Sequence, residues 1–178
     1  MLGLRPFKNC DAEKIALWCK DESVFKLWGG EMFGSYPISS SDVIDMYVTR
    51  NGMCEEDNFY AMTAFDDSGP IGHLIMRYLR GDRKFIRLGW IIVDDQKRGK
   101  GYGKAMIRLA FKYAFEILQA EKVCLGVFEN NPSAYYCYKA AGFRPSTDLE
   151  DSYMDVGNEK WKVIELEITR REYEELQC

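Results

Sequence analysis

A stretch of alternating glycines and cations, RGKGYGK at residues 98–104, has the composition of an anion-binding turn. Glycine has no Cβ, so the backbone N–H groups of such a turn can point toward one ligand. An apolar, helix-forming stretch follows directly, and the first turn of a helix carries unpaired N–H groups and partial positive charge. Arg98, Lys100 and Lys104 add full charges. These features predict a phosphate-binding site at the turn.

Two better-known phosphate motifs do not fit this spacing. A P-loop ends in Gly-Lys followed by Ser or Thr, whereas Ala105 follows Gly103 and Lys104. The dinucleotide fingerprint G-x-G-x-x-G would require a glycine at position 104. A solvated surface loop is the remaining alternative, and the ordered elements predicted on both sides of the turn favour a binding site instead.

The segments around the turn predict alternating strands and helices. Residues 85–95 are nearly all apolar, which is typical of a central strand covered on both faces. The helix after the glycines has one polar stripe, and residues 122–128 form another buried strand. A short helix then begins with Asn131 as its cap and Pro132 in its first position, and it stops at Gly142. This order predicts a parallel pair of strands inside the sheet.

The remaining segments complete the prediction of an α+β (mixed α/β) fold. Asp11 and Ser39 read as caps of N-terminal helices, and residues 58–79 as two antiparallel strands. Residues 161–170 alternate between apolar side chains and glutamates, which predicts a half-exposed last strand. We expect a central mixed, mostly antiparallel sheet with helices on both faces, in one domain over residues 1–178.

Composition predicts a reduced, cytoplasmic protein without membrane or nucleic-acid partners. Hydrophobic residues make up 47% of the 178 residues, and the net charge is -4. A general nucleic-acid binder usually has a basic excess. No window approaches the ~20 apolar residues of a membrane span, and the N-terminus lacks the apolar stretch of a secretory signal. The six cysteines contain no C-x-x-C pair.

Two blocks of the sequence resemble the GNAT family of N-acetyltransferases. RGKGYG at residues 98–103 matches the family signature R/Q-x-x-G-x-G/A, and NNPSAYYCYKAAGF at residues 130–143 resembles its N-x-x-A-x-x-x-Y-x-x-x-G-F segment. The opening LRPF is similar to the first strand of the branch that includes ribosomal-protein and aminoglycoside acetyltransferases. The resemblance is strong over residues 85–143 and implies the GNAT fold, in which two parallel strands splay apart.

The resemblance implies that acetyl-CoA binds between the strands ending near Val93 and Phe128. Backbone groups of Ile91, Ile92 and Val93 would pair with the pantetheine arm as an added strand does, and Asn131 would reach the same arm. The pyrophosphate would be held by the N–H groups of Arg98, Gly99, Lys100, Gly101, Tyr102, Gly103 and Lys104.

Catalytic roles follow from the same resemblance. Tyr138 would lie near the cofactor sulfur and protonate the leaving thiolate. A backbone N–H near Ile91 would stabilise the oxygen that gains negative charge. The general base stays open, because the sequence favours solvated surface carboxylates over a catalytic base for Glu31, Asp94 and Asp95.

Several of these residues also have a purely structural interpretation. Asn131 by itself is an ordinary helix cap, and Tyr138 by itself is a core aromatic residue. His73, the only histidine, lies in a strand and is interpreted as structural rather than as a base. A relay through Cys137 is not expected, because members of the family transfer the acetyl group directly. No cluster has metal-ligand spacing, so we expect no metal.

The leading hypothesis is an N-acetyltransferase that moves the acetyl group of acetyl-CoA directly to a primary amine. The acceptor stays open between a small-molecule amine, a polyamine, an aminoglycoside and a peptide N-terminus. The acidic segment 146–159 either attracts a cationic acceptor or is a solvated loop. A non-catalytic CoA-binding module and a nucleotide or RNA binder are the competing hypotheses. The resemblance also implies a possible homodimer.

Overall fold

The computed structural model describes residues 1–52 and 57–177. The strands are β1 (Gly3–Pro6), β2 (Phe59–Asp66), β3 (Gly69–Leu79), β4 (Asp82–Val93), β5 (Lys122–Phe128), β6 (Arg144–Pro145), β7 (Ser152–Val156) and β8 (Glu159–Thr169). The helices are α1 (Ala12–Trp18), α2 (Glu22–Leu27), α3 (Ser40–Ile44), α4 (Tyr102–Lys112), α5 (Pro132–Ala141) and α6 (Arg170–Glu175). π-Helical segments extend α3 over Asp45–Arg50 and α4 over Tyr113–Ile117.

Within the described residues, eight strands form one sheet in the order β1-β2-β3-β4-β5-β8-β6, with β7 paired to β8. β4 and β5 are parallel, and the other pairs are antiparallel. The chain passes from β4 to β5 through α4, as a parallel pair requires a long crossover. The predicted mixed, mostly antiparallel sheet with one parallel pair is confirmed.

Helices cover both faces of this sheet, as predicted. α4 and α5 pack on one face, over a core that includes Ile107, Phe111 and Leu125. The N-terminal helices pack on the other face around Phe25 and Tyr47. Burying one side chain of this size stabilises the fold by about 1.5–3 kcal/mol. These two layers hold the start of α4 and the ends of β4 and β5 in fixed positions relative to one another.

Several local predictions hold, and one cap behaves differently. β5 and α5 have the predicted bounds, and the Asn131 side chain accepts a hydrogen bond from the Ala134 N–H at 3.2 Å. Ser39 caps α3 as expected. Asp11 stands at the N-cap position of α1 without capping it, because its carboxylate binds the Arg5 guanidinium at 2.7 and 2.8 Å.

The prediction of a half-exposed last strand is wrong. Glu165 and Glu167 in β8 are buried, at 7% and 0% exposure. Each can be buried because it is paired: Glu165 with Arg87, and Glu167 with Lys122 and Arg144. This part of the strand is covered on both faces, although its alternating sequence predicted one solvent-exposed face.

The acidic segment 146–159 also differs from the predicted loop, because it contains β7, which pairs with β8. No helix in residues 1–52 and 57–177 is long and apolar enough to cross a bilayer. Cys19 and Cys124 are buried and carry free thiols. Cys54 and Cys178 lie outside the described residues.

Candidate active site

The parallel strands β4 and β5 separate at the middle of the sheet. They pair only between Phe85–Arg87 and Lys122–Cys124, and no ladder contact joins them further along in the described chain. The register of β4 against β3 shifts by one residue, since Ile75 lies opposite Gly89 whereas His73 lies opposite Ile92. Such a bulge bends the strand that carries it. β4 therefore diverges from β5, and a cleft opens between them.

Trp90 lies inside this bulge and has a positive φ of 43°. A bulky non-glycine residue in this region is uncommon, because its Cβ approaches the following carbonyl. Aromatic packing holds the residue in place: the Trp90 ring lies 4.7 Å from that of Phe33 and 5.8 Å from that of Tyr47, centroid to centroid. The bulge is therefore fixed by the helical layer on the α1–α3 face of the sheet.

The glycine turn presents a row of free backbone donors at one end of this cleft. Gly99 and Gly101 have φ values of 73° and 83°, and a Cβ at either position would meet nothing within 4 Å. Gly101 is the N-cap of α4, and the first helical hydrogen bond runs from the Ala105 N–H to its carbonyl. The N–H groups of residues 99–104 make no backbone hydrogen bond of ordinary geometry within the described chain. The turn is thus built to receive an anion.

The cations of the turn divide into two groups. Arg98 donates from Nε to the Val93 carbonyl at 3.0 Å, and both Arg98 and Lys104 line the cleft. Lys100 instead donates to the Gln96 carbonyl at 3.0 Å, and the Tyr102 hydroxyl donates to Asp66 at 3.2 Å. Neither Lys100 nor Tyr102 lines the cleft. For these two residues, only the backbone N–H groups are available to a ligand of the turn.

α5 forms the second wall at this end. Gly103 lies so close to α5 that a Cβ there would be 3.0 Å from the Cys137 Sγ. Tyr138 is 8% exposed and lines the cleft. Burial, followed by the neighbouring Cys137, raises the pKa of Tyr138, and burial also raises the pKa of the Cys137 thiol against the opposing charge of Lys104. Both side chains therefore stay protonated at neutral pH.

One continuous cleft of about 1350 Å³ joins these features. Most of the residues predicted from the sequence line it, namely Ile91, Ile92, Val93, Arg98, Gly99, Gly101, Gly103, Lys104, Asn131 and Tyr138. We call residues 98–104 and their neighbours on α5 the turn end. The cleft passes between β4 and β5 to a second region on the α1–α3 face of the sheet.

This second region, the far end, is lined by residues that the sequence did not single out: Trp28, Arg77, Arg87, Trp90 and Tyr153. Arg87 binds Glu165 through two hydrogen bonds of 2.8 Å, and its guanidinium passes over β5 at Gly126. A Cβ on Gly126 would be 2.7 Å from the Arg87 Nη2. Arg87 could have been predicted for this site, because it is a charged residue within the apolar run of β4. The other residues gave no signal in the sequence, because they come from separate elements.

The carboxylates considered as general bases do not line the cleft. Glu31 accepts a hydrogen bond from the Gly157 N–H at 3.1 Å, and Asp94 accepts one from the Gln96 N–H at 2.9 Å. In the described part of the chain, neither these residues nor Asp95 belongs to the cleft lining. The described residues also contain no His, Cys, Asp and Glu group that could hold a metal ion.

His73 is fully buried and structural, as interpreted from the sequence. Its Nε2 lies 2.8 Å from the Tyr47 hydroxyl, and the two rings stack. Burial lowers the pKa of His73 to about 3. The imidazole is therefore neutral at physiological pH.

A family model described as an acetyltransferase (GNAT) domain matches residues 1–144 of the chain. The chain belongs to the GNAT acetyltransferase family. The resemblance inferred from the glycine turn and from the α5 segment is confirmed. With it, the expectations of a GNAT fold and of acetyl-CoA as the cosubstrate of the family are supported.

Individual relatives and structures agree with this GNAT assignment. The chain is 23% identical over 146 residues to a spermidine N(1)-acetyltransferase of Escherichia coli, covering 82% of the chain and 74% of the relative. It is 32% identical over 74 residues to a spermine/spermidine N(1)-acetyltransferase of Bacillus subtilis, where the match spans only 45% of that enzyme.

Solved structures share the whole fold at low identity. The Vibrio cholerae spermidine N-acetyltransferase in complex with CoA and spermine superposes with a TM-score of 0.78 at 21% identity, over 97% of both chains. An aminoglycoside acetyltransferase in complex with coenzyme A and kanamycin gives 0.76 at 16% identity, over 100% of both chains. At these identities, the structures establish the fold of the GNAT domain described here.

Proposed function

We propose that this GNAT protein transfers the acetyl group of acetyl-CoA directly to a primary amine, with the whole of residues 1–178 acting as one domain. One observation carries the proposal: the N–H groups of residues 99–104 have no backbone partner in the described chain, and Gly99, Gly101, Gly103 and Lys104 of this turn line a cleft that crosses the sheet. A diphosphate fits the turn end, since the glycines leave room for it and Arg98 and Lys104 add charge. The residues present therefore suit coenzyme A.

The predicted residues of β4 and Tyr138 of α5 have chemical tasks in this cleft. Acetyl-CoA supplies the acetyl group as a thioester. The diverging end of β4, Ile91 to Val93, offers backbone groups to an extended arm. The Ile91 N–H stabilises charge on the carbonyl oxygen as the new N–C bond forms. Tyr138 donates its proton to the sulfur as the C–S bond breaks, and the proton lost by the amine returns to the phenol through water.

The amine must be neutral to attack. For an amine of pKa ~10.4, deprotonation at pH 7 costs roughly 4.6 kcal/mol. No carboxylate or histidine lines the cleft in the described part of the chain, so the described lining of the cleft contains no side-chain base of this kind. The aromatic walls of the cleft disfavour a bound ammonium by desolvation. We propose that this environment, with water as proton acceptor, replaces a dedicated base.

Turnover separates this proposal from the alternative of a non-catalytic CoA-binding module of the same fold. Purified protein is incubated with acetyl-CoA and a panel of amines, and free thiol is followed. Amine-dependent thiol release is expected. Binding of CoA by calorimetry without thiol release from any amine would support the binding module instead.

The role of Tyr138 has a matched test. Tyr138→Phe should lower kcat by about 10²–10⁴, with the Kd for CoA changed less than about twofold. Tyr135→Phe is the control, because Tyr135 lies on the same helix outside the cleft lining. A large loss of CoA affinity with normal kcat in Tyr138→Phe would refute the assigned role.

Comparisons with known proteins support an amine as the acceptor. The relatives named above are spermidine acetyltransferases, and the neighbouring structures contain spermine or kanamycin. These names support a primary amine as acceptor. The cytoplasmic location and the homodimer stay predictions from the sequence.

A further inference from the structure

Among the described residues of the far end, Arg77 is the one cationic side chain without a counter-ion. Arg77 lies in β3 directly opposite Arg87 in β4, and its side chain makes no hydrogen bond or ion pair with the described residues. Desolvation, followed by the charge of Arg87, lowers the pKa of Arg77. An anion beside the guanidinium would favour its charged form and would therefore offset both effects on the pKa of Arg77.

The other charges at this end are already neutralised. Arg87 is held by Glu165, and Arg50, which also lines the cleft, lies 3.0 Å from Asp45. Carboxylates of the acidic segment are similarly occupied, since Asp148 binds Lys122, and Asp151 lies 3.1 Å from Lys162. None of these carboxylates lines the cleft within the described residues. A polycationic acceptor would therefore find no free anion on this wall.

A second donor without a partner lies in the same wall. Trp28 is only 7% exposed, and its buried indole Nε1–H has no hydrogen-bond partner among the described residues. An unpaired buried donor is costly, and a ligand oxygen can relieve that cost. Arg77 thus offers N–H groups to an oxygen-rich anion, and Trp28 is a further unpaired donor among the described residues that line the same cleft.

The ladder sets the distance between the backbone of Arg77 and the bulge in β4. Arg77 lies opposite Arg87, and Gly89 lies two residues further along β4 at the start of the bulge. At a rise of about 3.3 Å per residue, the backbone of Arg77 is about 7 Å from that point. A short chain of a few bonds spans this distance.

We infer that the acceptor carries an anionic oxygen group, a carboxylate or a phosphate, a few bonds from its primary amine, and that Arg77 binds this group at the far end of the cleft. The inference rests on the proposed function and narrows its substrate class. A hydrogen bond to a charged group corresponds to roughly tenfold or more in affinity. Amines with a neutral or cationic tail of equal length lack this interaction.

Binding is measured first, without chemistry. Four short amines of similar length are titrated by calorimetry into the protein saturated with CoA: 4-aminobutanoate, 3-aminopropylphosphonate, butylamine and 1,4-diaminobutane. We expect one of the two anionic amines to bind at least about tenfold more tightly than butylamine, with the diamine weakest. The comparison of carboxylate with phosphonate identifies which anion the site takes.

Variants then assign the preference to Arg77. Arg77→Gln should reduce the affinity ratio of the preferred anionic amine to butylamine to about one, and Arg77→Lys should restore part of it. Arg108→Gln on the exposed side of α4 makes the same charge change outside the cleft and should leave the ratio intact. Neither arginine side chain makes a hydrogen bond or ion pair with the described residues, so neither variant removes a contact that stabilises the fold.

Three results would overturn the inference: tighter binding of butylamine or the diamine, a preference that survives Arg77→Gln, or no binding of either anionic amine. Thiol release from acetyl-CoA tests the proposed function separately. If butylamine is acetylated without a preference for anionic amines, the function stands and the inference fails. If the anionic amines bind selectively and no amine reacts, the far end is an anion site and the proposed function fails.

Discussion

The contact between Gly103 and Cys137 controls how closely α4 and α5 approach at the turn end, and it can be tested by a double-mutant cycle. A Cβ at position 103 would lie 3.0 Å from the Cys137 Sγ and 3.9 Å from the Val93 Cγ2. Only the sulfur contact is too close for ordinary packing. Gly103→Ala should therefore push the first turn of α4 away from α5, and Cys137→Ala should remove the obstacle.

Two opposing free energies decide the effect on stability. Alanine in place of glycine inside a helix stabilises by about 0.8–1.0 kcal/mol, whereas overpacking costs typically about 1–3 kcal/mol. The single variant Gly103→Ala should lose up to about 2 kcal/mol in the free energy of unfolding. In the Cys137→Ala background, the same change should gain up to about 1 kcal/mol, because only the helix-propensity effect remains.

Urea unfolding of the wild type, the two single variants and the double variant measures the coupling energy between positions 103 and 137. Calorimetry with CoA measures how the same changes affect the affinity for CoA. The coupling energy should equal the overpacking cost, at least about 1 kcal/mol. CoA affinity should fall in Gly103→Ala and recover in the double variant, since the free N–H groups lie in the displaced turn. Stability changes that add within about 0.5 kcal/mol would refute the reasoning. Normal turnover in Cys137→Ala would also agree with direct transfer rather than a thiol relay.

The remaining predictions concern the far end and the buried histidine. Gly126→Ala should displace both the Val163 side chain and the Arg87 guanidinium and lower the free energy of unfolding by about 1–3 kcal/mol. Gly89→Ala, where the nearest contact is 3.4 Å, should cost less, and equal losses would contradict the account. Burial lowers the pKa of His73 from 6.5 to about 3. Between these pH values, the imidazole is therefore protonated in the unfolded chain and neutral in the folded chain. Stability should thus be unaffected above pH 6.5 and fall by up to about 1.4 kcal/mol per pH unit between 6.5 and 3. His73→Gln should reduce this slope in denaturant titrations, and an unchanged slope would contradict a neutral buried imidazole.

Local sequence patterns determined the elements that carry the turn end. The glycines at 99 and 101 adopt left-handed backbone conformations that other residues avoid, and Asn131, Pro132 and Gly142 bound α5 through caps that act within a few residues. Because these constraints act within a few residues, the elements could be predicted from the sequence without knowledge of the fold. Most of the residues predicted for acetyl-CoA accordingly line one cleft, and Lys100 and Tyr102 are the exceptions.

Contacts between distant segments decided the rest. The sequence of β8 alternates as a half-exposed strand does, yet Glu165 and Glu167 are buried because Arg87, Lys122 and Arg144 reach them from other elements. The bulge that separates β4 from β5 depends on packing against the α1–α3 layer. The free charge of Arg77 depends on which carboxylates its neighbours occupy. Charge pairing and strand divergence are properties of the assembled sheet, and no local pattern encodes them.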